Sequence, residues 1–382
     1  MQLDKLHIPF AMPYFDKEME EAAIYSLRNE KYVLGESVFK FEEEFARYCG
    51  TEYAVSTSSG TNALQIALIA MEMRPNFGVL TPAMSFVASA NCTIQAGGDP
   101  VFVDIDPDKY TIDSSAIESA LSEKCAAILP VHLYGQPAGM DEILEIAARR
   151  NLKVVEDAAQ AHGGRYKGLK VGAIGDAGCF SFYPTKNMTV CGDGGVITTS
   201  DPEIAKTSAK LRDCGRADRY THDRIGYTSR LNTVNAAIGR VQLRRLDEWD
   251  RKRQEVAEKY YSRLKDVEEV KLPPRKSADA LPVYHLYVIQ AKQRNKLKEW
   301  LEAAGVQCAV HYPIAIPLQP AYRDRYGFSP GRFPVAEKLS ENALSLPMFP
   351  DLQESQVAYI CEKIAEFYGH QHVSSSLPPS AV

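Results

Sequence analysis

Residues 180–195 read FSFYPTKNMTVCGDGG, and the chemistry and the fold of the chain are organised around this stretch. The stretch opens with an alternating strand pattern that Pro184 ends, and Lys186 follows in a turn. The glycine-rich segment 192–195 then leads into a second strand pattern at 196–199. A lysine among small residues between two strands suits an amine that must meet a flat ligand. The ordinary alternative is a solvated turn lysine, so the choice depends on the rest of the chain.

Strand and helix patterns alternate along the chain before this stretch. The apolar strand segments lie at residues 53–56, 79–82, 99–106, 126–134 and 152–157. Helical patterns separate them, including one predicted at 84–95. Strands that are apolar on both faces and spaced by helices indicate an α/β fold with a parallel sheet covered on both sides.

Two acids, Glu156 and Asp157, stand together at the end of one predicted strand. Successive side chains of a strand point to opposite faces, so the two carboxylates cannot face the same way. We expect one to point into the ligand crevice and the other to serve the sheet face. Ligands of parallel sheets collect at the carboxyl ends of the strands. A buried carboxylate there needs a cationic or hydrogen-bonding partner to stay charged.

A candidate anion site lies at residues 57–71, which read TSSGTNALQIALIAM. Hydroxyl residues and a glycine precede an apolar helix, so the first backbone N–H groups, near Gly60 and Thr61, face outward. Plain N-capping of the helix explains the same residues. The pattern alone leaves both interpretations open.

The chain divides into two predicted domains and a tail. Residues 1–250 are predicted to form an N-terminal arm and a large ligand-binding domain. A proline-containing linker at 271–277 lies early in the second part, and residues 251–369 are predicted to form a smaller C-terminal α/β domain. Residues 370–382 are small and proline-rich, which predicts a disordered tail.

Composition excludes several classes of protein. A hydrophobic content of 45% and a net charge of -5 are ordinary for a globular protein and give no drive toward nucleic acid. We find no signal-peptide pattern and no apolar run long enough to span a membrane. The eight cysteines form no Cys-x-x-Cys pair, which argues against a metal site or a disulfide frame. We therefore expect a cytoplasmic protein without a metal and without a nucleic-acid or membrane partner.

Three separate elements point to one ligand. They are the helix start at Gly60 and Thr61, the strand-end carboxylate of Asp157, and Lys186 with Ser181 five residues before it. Together they fit a flat heterocycle with a phosphate tail, a basic ring nitrogen and an aldehyde. Pyridoxal 5'-phosphate has all of these groups, and its aldehyde needs a lysine amine. Each element alone also has a purely structural explanation.

The chain resembles the DegT/DnrJ/EryC1/StrS family of sugar aminotransferases. The resemblance rests on SSGTNAL at 58–64, EDAAQAHG at 156–163, FSFYPTK at 180–186, and YPI with LQPAY at 312–322. It implies the fold-type I architecture of pyridoxal phosphate-dependent transferases. That architecture combines a large domain, built on a mixed and mostly parallel seven-stranded sheet, with a smaller C-terminal α/β domain.

The resemblance also implies roles for individual residues. Lys186 would form the Schiff base with the cofactor and shuttle a proton between cofactor and substrate. Asp157 would pair with the pyridine nitrogen and Gln160 with the ring hydroxyl. The remaining cofactor-binding residues implied are Gly60, Thr61, Asn62 and Ser181 at the phosphate, and Phe86 on the ring face. A core aromatic is the alternative interpretation of Phe86.

Two positions depart from the family pattern. Thr228 stands where the family has an asparagine that reaches the phosphate of the neighbouring subunit, and its shorter side chain puts that contact in question. Pro317 replaces a common histidine in the late loop, so part of the sugar-binding surface is expected to differ. The residues expected to contact the substrate or the partner subunit are Thr228, Arg230, His311 and Tyr312.

The implied function is amino transfer from glutamate to a keto sugar carried on a nucleotide diphosphate, in a homodimer with shared active sites. Such a reaction serves amino-sugar and polysaccharide biosynthesis. One alternative is a pyridoxal phosphate-dependent sugar dehydratase, but dehydratases of the family have histidine in place of the lysine, so Lys186 favours transamination. The other is a non-catalytic regulator with the same fold. A scaffold does not need Lys186, Asp157, Gln160 and Ser181 together, which argues against it.

Overall fold

The computed structural model describes residues 7–369 of the chain, so the predicted tail at 370–382 lies outside the described residues. The strands are β1 Tyr53–Thr57, β2 Gly78–Pro82, β3 Asp99–Val103, β4 Cys125–Ile128, β5 Lys153–Asp157, β6 Arg165–Tyr166, β7 Leu169–Lys170, β8 Ala177–Ser181, β9 Gly195–Thr199, β10 Val270–Lys271, β11 Ala280–Leu281, β12 Tyr287–Ala291 and β13 Ala343–Leu346.

The helices are α1 Lys17–Asn29, α2 Glu36–Cys49, α3 Gly60–Ala70, α4 Ala88–Gln95, α5 Ser114–Ala120, α6 Met140–Arg150, α7 Pro202–Arg212, α8 Thr233–Leu243, α9 Leu246–Leu264, α10 Arg294–Ala303, α11 Pro320–Tyr326, α12 Pro334–Asn342 and α13 Glu354–Phe367. Short 3-10 turns lie at Leu133–Gly135 and Ile316–Leu318. None of the helices within residues 7–369 combines the length and the apolarity that a membrane span requires.

The main sheet has seven strands in the order β1-β9-β8-β5-β4-β2-β3. Strand β9 runs antiparallel to both of its neighbours, and the other neighbouring pairs are parallel. The expected mixed and mostly parallel sheet is therefore confirmed. Because β9 runs backwards, the segment between β8 and β9 leaves and re-enters the sheet at its carboxyl edge. This segment carries Lys186.

Helices cover both faces of the main sheet, as the apolar strand patterns predict. Val79 packs in one core cluster with α3, α4 and α7, whereas its neighbour Leu80 packs in another with α5 and α6. In β9, Ile197 packs in the same cluster as Val79, whereas its neighbour Val196 packs on the other face with α2 and α8. Strands buried on both faces read as continuous apolar runs, which is the pattern seen in the sequence.

A second, smaller unit is built on the antiparallel sheet β10-β12-β13. Its core combines that sheet with α9, α10 and α13. Strand β11 instead pairs with β6, and residues of α11 and α12 pack in the main core cluster. The chain thus crosses between the two units more than once. The predicted boundary at residue 250 falls inside α9 and stays a prediction.

The helix predicted at 84–95 begins later in the structure, at Ala88. Residues 83–87 form the turn that follows β2, at the carboxyl edge of the sheet, and Phe86 is exposed there. The apolar pattern continues through this turn because Met84 is buried. Periodicity alone therefore extends the helix by one turn too many.

The carboxylate of Glu156 is fully buried on the side of β5 away from Asp157's crevice. One oxygen accepts hydrogen bonds from Ile174 N and Gly175 N, both at 2.7 Å. The other accepts from Gly172 N at 2.8 Å and faces His132 Nε2 at 2.9 Å. Burial alone would raise the pKa of Glu156, but these hydrogen bonds lower it overall. The two adjacent acids thus have different functions.

We predict that Glu156→Gln destabilises the protein by about 2–3 kcal/mol, because the new amide nitrogen would face two hydrogen-bond donors. Chemical denaturation at pH 7 measures the loss. The pKa of Glu156 is lowered in the folded state. The carboxylate therefore contributes its full share of the folding stability above pH 4.5, its ordinary pKa, and this share is lost as the pH falls below that value. The exposed Glu43→Gln, which loses only a surface pair with Arg47, is the matched control. Equal stabilities of the two variants would contradict the role of Glu156.

Candidate active site

The candidate site lies at the carboxyl ends of the parallel strands β1, β5 and β8. Gly60 begins the helix after β1, Asp157 is the last residue of β5, and Lys186 follows β8. The charges of Lys186 and Asp157 affect each other's pKa. Three residues that are far apart in sequence therefore lie at the same edge of the sheet, as the strand patterns predict.

Lys186 is half-buried in the segment that joins β8 to β9. Its backbone N–H donates to Tyr183 O at 2.9 Å, which closes the turn after Pro184. Burial lowers the pKa of the Lys186 amine to about 8, although the charge of Asp157 acts in the opposite direction. About a tenth of the amine is then uncharged at pH 7, far more than for an ordinary lysine. The uncharged form is the one that attacks an aldehyde.

Asp157 is buried, and its carboxylate is held by two donors. Ser89 Oγ donates to one oxygen at 2.6 Å, and Ala159 N donates to the other at 3.2 Å. Burial raises the pKa of Asp157, and the hydrogen bond from Ser89 is the largest opposing effect. No salt bridge to Asp157 occurs within the described part of the chain. Such a carboxylate fits the protonated ring nitrogen of pyridoxal phosphate.

Sequence reasoning missed Ser89, which positions Asp157. Ser85 Oγ lies 2.8 Å from Ser89 Oγ, so the two hydroxyls form a chain that ends on the carboxylate. Ser85 lies in the turn before α4 and Ser89 lies in the first turn of that helix, so helical spacing does not explain their contact. Nothing in the sequence shows that these serines face β5.

Gln160 connects two tyrosines at the same edge of the sheet. Its side-chain oxygen accepts from Tyr134 N at 2.9 Å, and its side-chain nitrogen donates to Tyr312 Oη at 3.1 Å. The Tyr134 hydroxyl in turn donates to His311 O. Gln160 therefore faces the region expected to hold the ring hydroxyl, and it also fixes Tyr312. The sequence did not point to Tyr134, whose contacts are all distant along the chain.

The start of α3 forms a close contact with β8. A Cβ atom on Gly60 would lie 2.6 Å from Ser181 Cβ, so only glycine allows this approach. The amides of Gly60 and Thr61 belong to the first helical turn, where N–H groups have no partner within the helix. Together with the Ser181 hydroxyl they fit a phosphate group.

Asn62 differs from its neighbours because its polar groups already have partners. Its amide N–H and its side-chain oxygen both contact the Ser59 hydroxyl, and its side-chain nitrogen donates to Ser229 Oγ at 3.0 Å. Asn62 thus anchors the helix start to the segment around residue 229. Its expected contact with the phosphate stays a prediction.

Phe86 is an exposed aromatic at the rim of the site, with about half of its surface accessible. Its ring centroid lies 6.0 Å from that of Tyr312. A core aromatic would be buried, so the exposure favours a ligand-facing role over the structural alternative.

The structure holds the other substrate or partner candidates in place through contacts of their own. Thr228 is exposed, and its hydroxyl lies 3.4 Å from Cys214 Sγ. Arg230 pairs with Asp213 at 2.6 Å. His311 Nδ1 lies 2.9 Å from Ser345 Oγ. Among these three residues, His311 is the one that interacts with Lys186. Burial lowers the pKa of His311 to about 4, and the charge of Lys186 adds to this effect.

These groups fit pyridoxal phosphate by their chemistry. They provide an amine whose pKa is lowered to about 8, a buried carboxylate, a helix start with free amides and an exposed aromatic. Within residues 7–369 we find no group of three or more His, Cys, Asp or Glu side chains arranged to hold a metal ion.

Comparison with known proteins supports this interpretation. The profile of the DegT/DnrJ/EryC1/StrS aminotransferase family matches residues 13–365. The chain is 42% identical to the pleiotropic regulatory protein of Geobacillus stearothermophilus, over 90% of this chain and 92% of the relative. It is 39% identical to the dTDP-3-amino-3,4,6-trideoxy-alpha-D-glucose transaminase of Streptomyces venezuelae, over 92% of each chain.

A solved structure shows the same fold. The crystal structure of S. venezuelae DesV in complex with a ketimine intermediate superposes with a TM-score of 0.90 at 38% identity. The match covers 93% of this chain and 95% of that chain.

We predict that Gly60→Ala weakens pyridoxal phosphate binding at least about tenfold, since the added methyl group would push α3 away from Ser181. Titration of the cofactor-free protein with pyridoxal phosphate, followed by absorbance, measures the dissociation constant. Gly139→Ala is the control, because its new methyl group would meet only the end of the flexible Glu142 side chain. Unchanged affinity in Gly60→Ala would remove the helix start from the phosphate site.

Proposed function

Because this chain belongs to the DegT/DnrJ/EryC1/StrS aminotransferase family, we propose that it transfers the amino group of glutamate to a keto sugar carried on a nucleotide diphosphate. It is a pyridoxal phosphate-dependent aminotransferase. The observation that carries the proposal is geometric. Asp157 ends β5 and is buried, and Lys186 follows the neighbouring parallel strand β8 at the same edge of the sheet. Each charge affects the pKa of the other group. A relative that is 39% identical is named as the transaminase of a dTDP-linked sugar, which supports a substrate of this class.

Each residue of the site has a defined task in this reaction. When bound, pyridoxal phosphate supplies an electron sink that stabilises negative charge on the carbon next to the amine. Asp157 keeps a proton on the ring nitrogen, and Gln160 orients the ring. The amides of Gly60 and Thr61, with Ser181, hold the phosphate.

Lys186 would supply the amine that holds the cofactor aldehyde, and its Nζ atom would carry a proton during the reaction. Its Nζ atom has a pKa of about 8, so it can both accept and release a proton near neutral pH. A permanently charged lysine would be unable to act as a base. The burial that lowers the pKa of Lys186 is therefore part of the catalytic arrangement.

We further propose that two copies of the chain form a homodimer with shared active sites. Tyr183 lies three residues from Lys186 and is 53% exposed. On the segment that also carries Thr228, Tyr220 is 80% exposed and Ile225 is 94% exposed. Large apolar side chains that are exposed beside a site are typical of an interface. Thr228 is also exposed, and we infer that it faces the partner.

We also propose that the protein acts in the cytoplasm, in amino-sugar biosynthesis. All eight cysteines are free thiols, and most are buried. Reduced cysteines in this number are typical of a reducing compartment.

A regulatory role is the second candidate, because a relative that is 42% identical is named a pleiotropic regulatory protein. Lys186 and Asp157 are present and close together here, which supports catalysis. A dehydratase is the third candidate, and it would release a sugar hydroxyl without net amine transfer. Product analysis distinguishes the three.

We predict that the protein aminates at least one member of a panel of UDP-, dTDP-, GDP- and CMP-linked keto sugars, with glutamate as donor. Mass spectrometry detects the amino sugar. Lys186→Ala is expected to lower turnover by a factor of at least about 10⁴, since both the covalent anchor and the proton carrier are lost. The exposed Lys109→Ala should retain full turnover. Turnover in Lys186→Ala would contradict the assignment, and no product from any sugar would favour the regulatory role.

The dimer is tested with a substitution on the exposed apolar segment. We predict that Ile225→Asp weakens self-association at least about tenfold, because a charge at an interface core must lose its water. Sedimentation equilibrium measures the association constant. Leu169→Asp places the same charge on an exposed leucine of β7 and should leave association unchanged. A wild-type protein that is monomeric at micromolar concentration would contradict shared sites.

A further inference from the structure

The residue that follows Lys186, Asn187, is buried and contacts α9. Its side-chain nitrogen donates to Asp250 Oδ1 at 2.9 Å and to Val283 O at 3.1 Å. The segment that carries Lys186 is thus hydrogen-bonded to a side chain of α9 and to the backbone of the segment between β11 and β12.

Asp250 is a buried carboxylate with an unusual set of neighbours. A Cβ atom on Gly163 would lie 2.2 Å from Asp250 Oδ2, so glycine at this position makes room for the carboxylate. Asp250 makes no salt bridge with another described residue. Burial raises the pKa of Asp250, and the hydrogen bond from Asn187 opposes this rise. A buried carboxylate whose hydrogen-bond donor is a neutral amide is costly to maintain, which indicates a specific role.

Arg253 lies one turn further along α9 and connects this helix to the smaller unit. Its Nη1 atom donates to Met348 O at 3.0 Å, Tyr284 O at 3.3 Å and His285 O at 3.4 Å. The turn of α9 that carries Asp250 is therefore fixed by hydrogen bonds to the backbone at residues 284–285 and at residue 348. Such support holds Asp250 in place relative to the Lys186 segment.

We propose that Asp250 is a positioning residue for Lys186 and acts through the side chain of Asn187. Hydrogen bonds from both sides fix residue 187, so the direction in which residue 186 projects is set by α9. The proposal rests on the proposed role of Lys186 as the reacting amine.

The proposed effect of Asp250 on Lys186 acts through the hydrogen bond with Asn187, and charge alone does not account for it. The charge of Lys186 interacts with Asp157, His162, His285 and His311.

The charged groups that interact with Asp250 are Arg253, Asp247 and Lys170. Asp250 reaches the Lys186 segment through its hydrogen bond with Asn187. Loss of the Asp250 contact should therefore act by letting the amine move toward water.

The test measures the pKa of the Lys186 amine in cofactor-free protein. The rate at which an amine-specific acylating reagent labels Lys186 is followed against pH, and mass spectrometry locates the label. Wild-type protein should show an inflection at about 8. In Asp250→Ala and in Asn187→Ala we expect the inflection to rise by about one unit, because the amine becomes better solvated. Both variants should also bind pyridoxal phosphate about tenfold more weakly.

Three further variants separate positioning from general stability. Asp250→Asn keeps an acceptor oxygen for Asn187 and should stay close to wild type. The double variant Asp250→Ala/Asn187→Ala should shift the inflection no more than either single change, since both remove the same contact. Tyr260→Phe removes another buried hydrogen bond of α9, to Pro347 O, and should lower the melting temperature without moving the inflection.

An inflection that stays at the wild-type pH in Asn187→Ala would overturn the proposal, even if Asp250→Ala does not fold. Additive shifts in the double variant would overturn it as well. The labelling needs neither cofactor nor substrate, so this result is independent of whether the enzyme aminates a sugar. Failure of the proposed function would instead be seen as turnover in Lys186→Ala.

Discussion

The two adjacent carboxylates at the end of β5 are the constraint on which the rest of the structure depends. Both are buried, and a buried charge is stable only where donors or cations surround it. Glu156 meets this need with the backbone amides of Gly172, Ile174 and Gly175 and with His132. These contacts fix the chain between β5 and β8. Asp157 meets it only in part, with Ser89 and Ala159. This difference is consistent with the proposed role of Asp157 toward the protonated ring nitrogen of the cofactor.

The lysine depends on this arrangement in turn. Glu156 fixes the segment that leads into β8, and the antiparallel strand β9 brings the chain back to the same edge of the sheet. Lys186 therefore lies between two strand ends. The residues that follow it are held by hydrogen bonds, Asn187 by Asp250 of α9 and Thr189 by Gln242 of α8. Catalytic geometry of this kind needs rigid support, because small displacements of a reacting group strongly reduce the rate. Here the support comes from both units of the chain.

Much of the fold was predictable because its signals are local. Apolar strand runs identify a sheet covered on both sides, and the turn around Lys186 can be read from Pro184 and the glycines. The contacts of Ser89, Tyr134 and Asp250 were not predictable, since each joins segments that are distant in the chain. The same limit explains the late start of α4 and the pairing of β11 with β6. Propensity and periodicity describe neighbours along the chain and contain no information on which distant segment will be adjacent.

The close approach of Gly60 to Ser181 has a consequence for the history of the sequence. A methyl group on residue 60 would collide with the side chain of residue 181, so position 60 accepts only glycine while β8 stays in place. Selection at position 60 therefore acts through a contact with a strand that is distant in the sequence. An alignment of homologues is expected to keep glycine in this column wherever the helix start and β8 approach as closely as here.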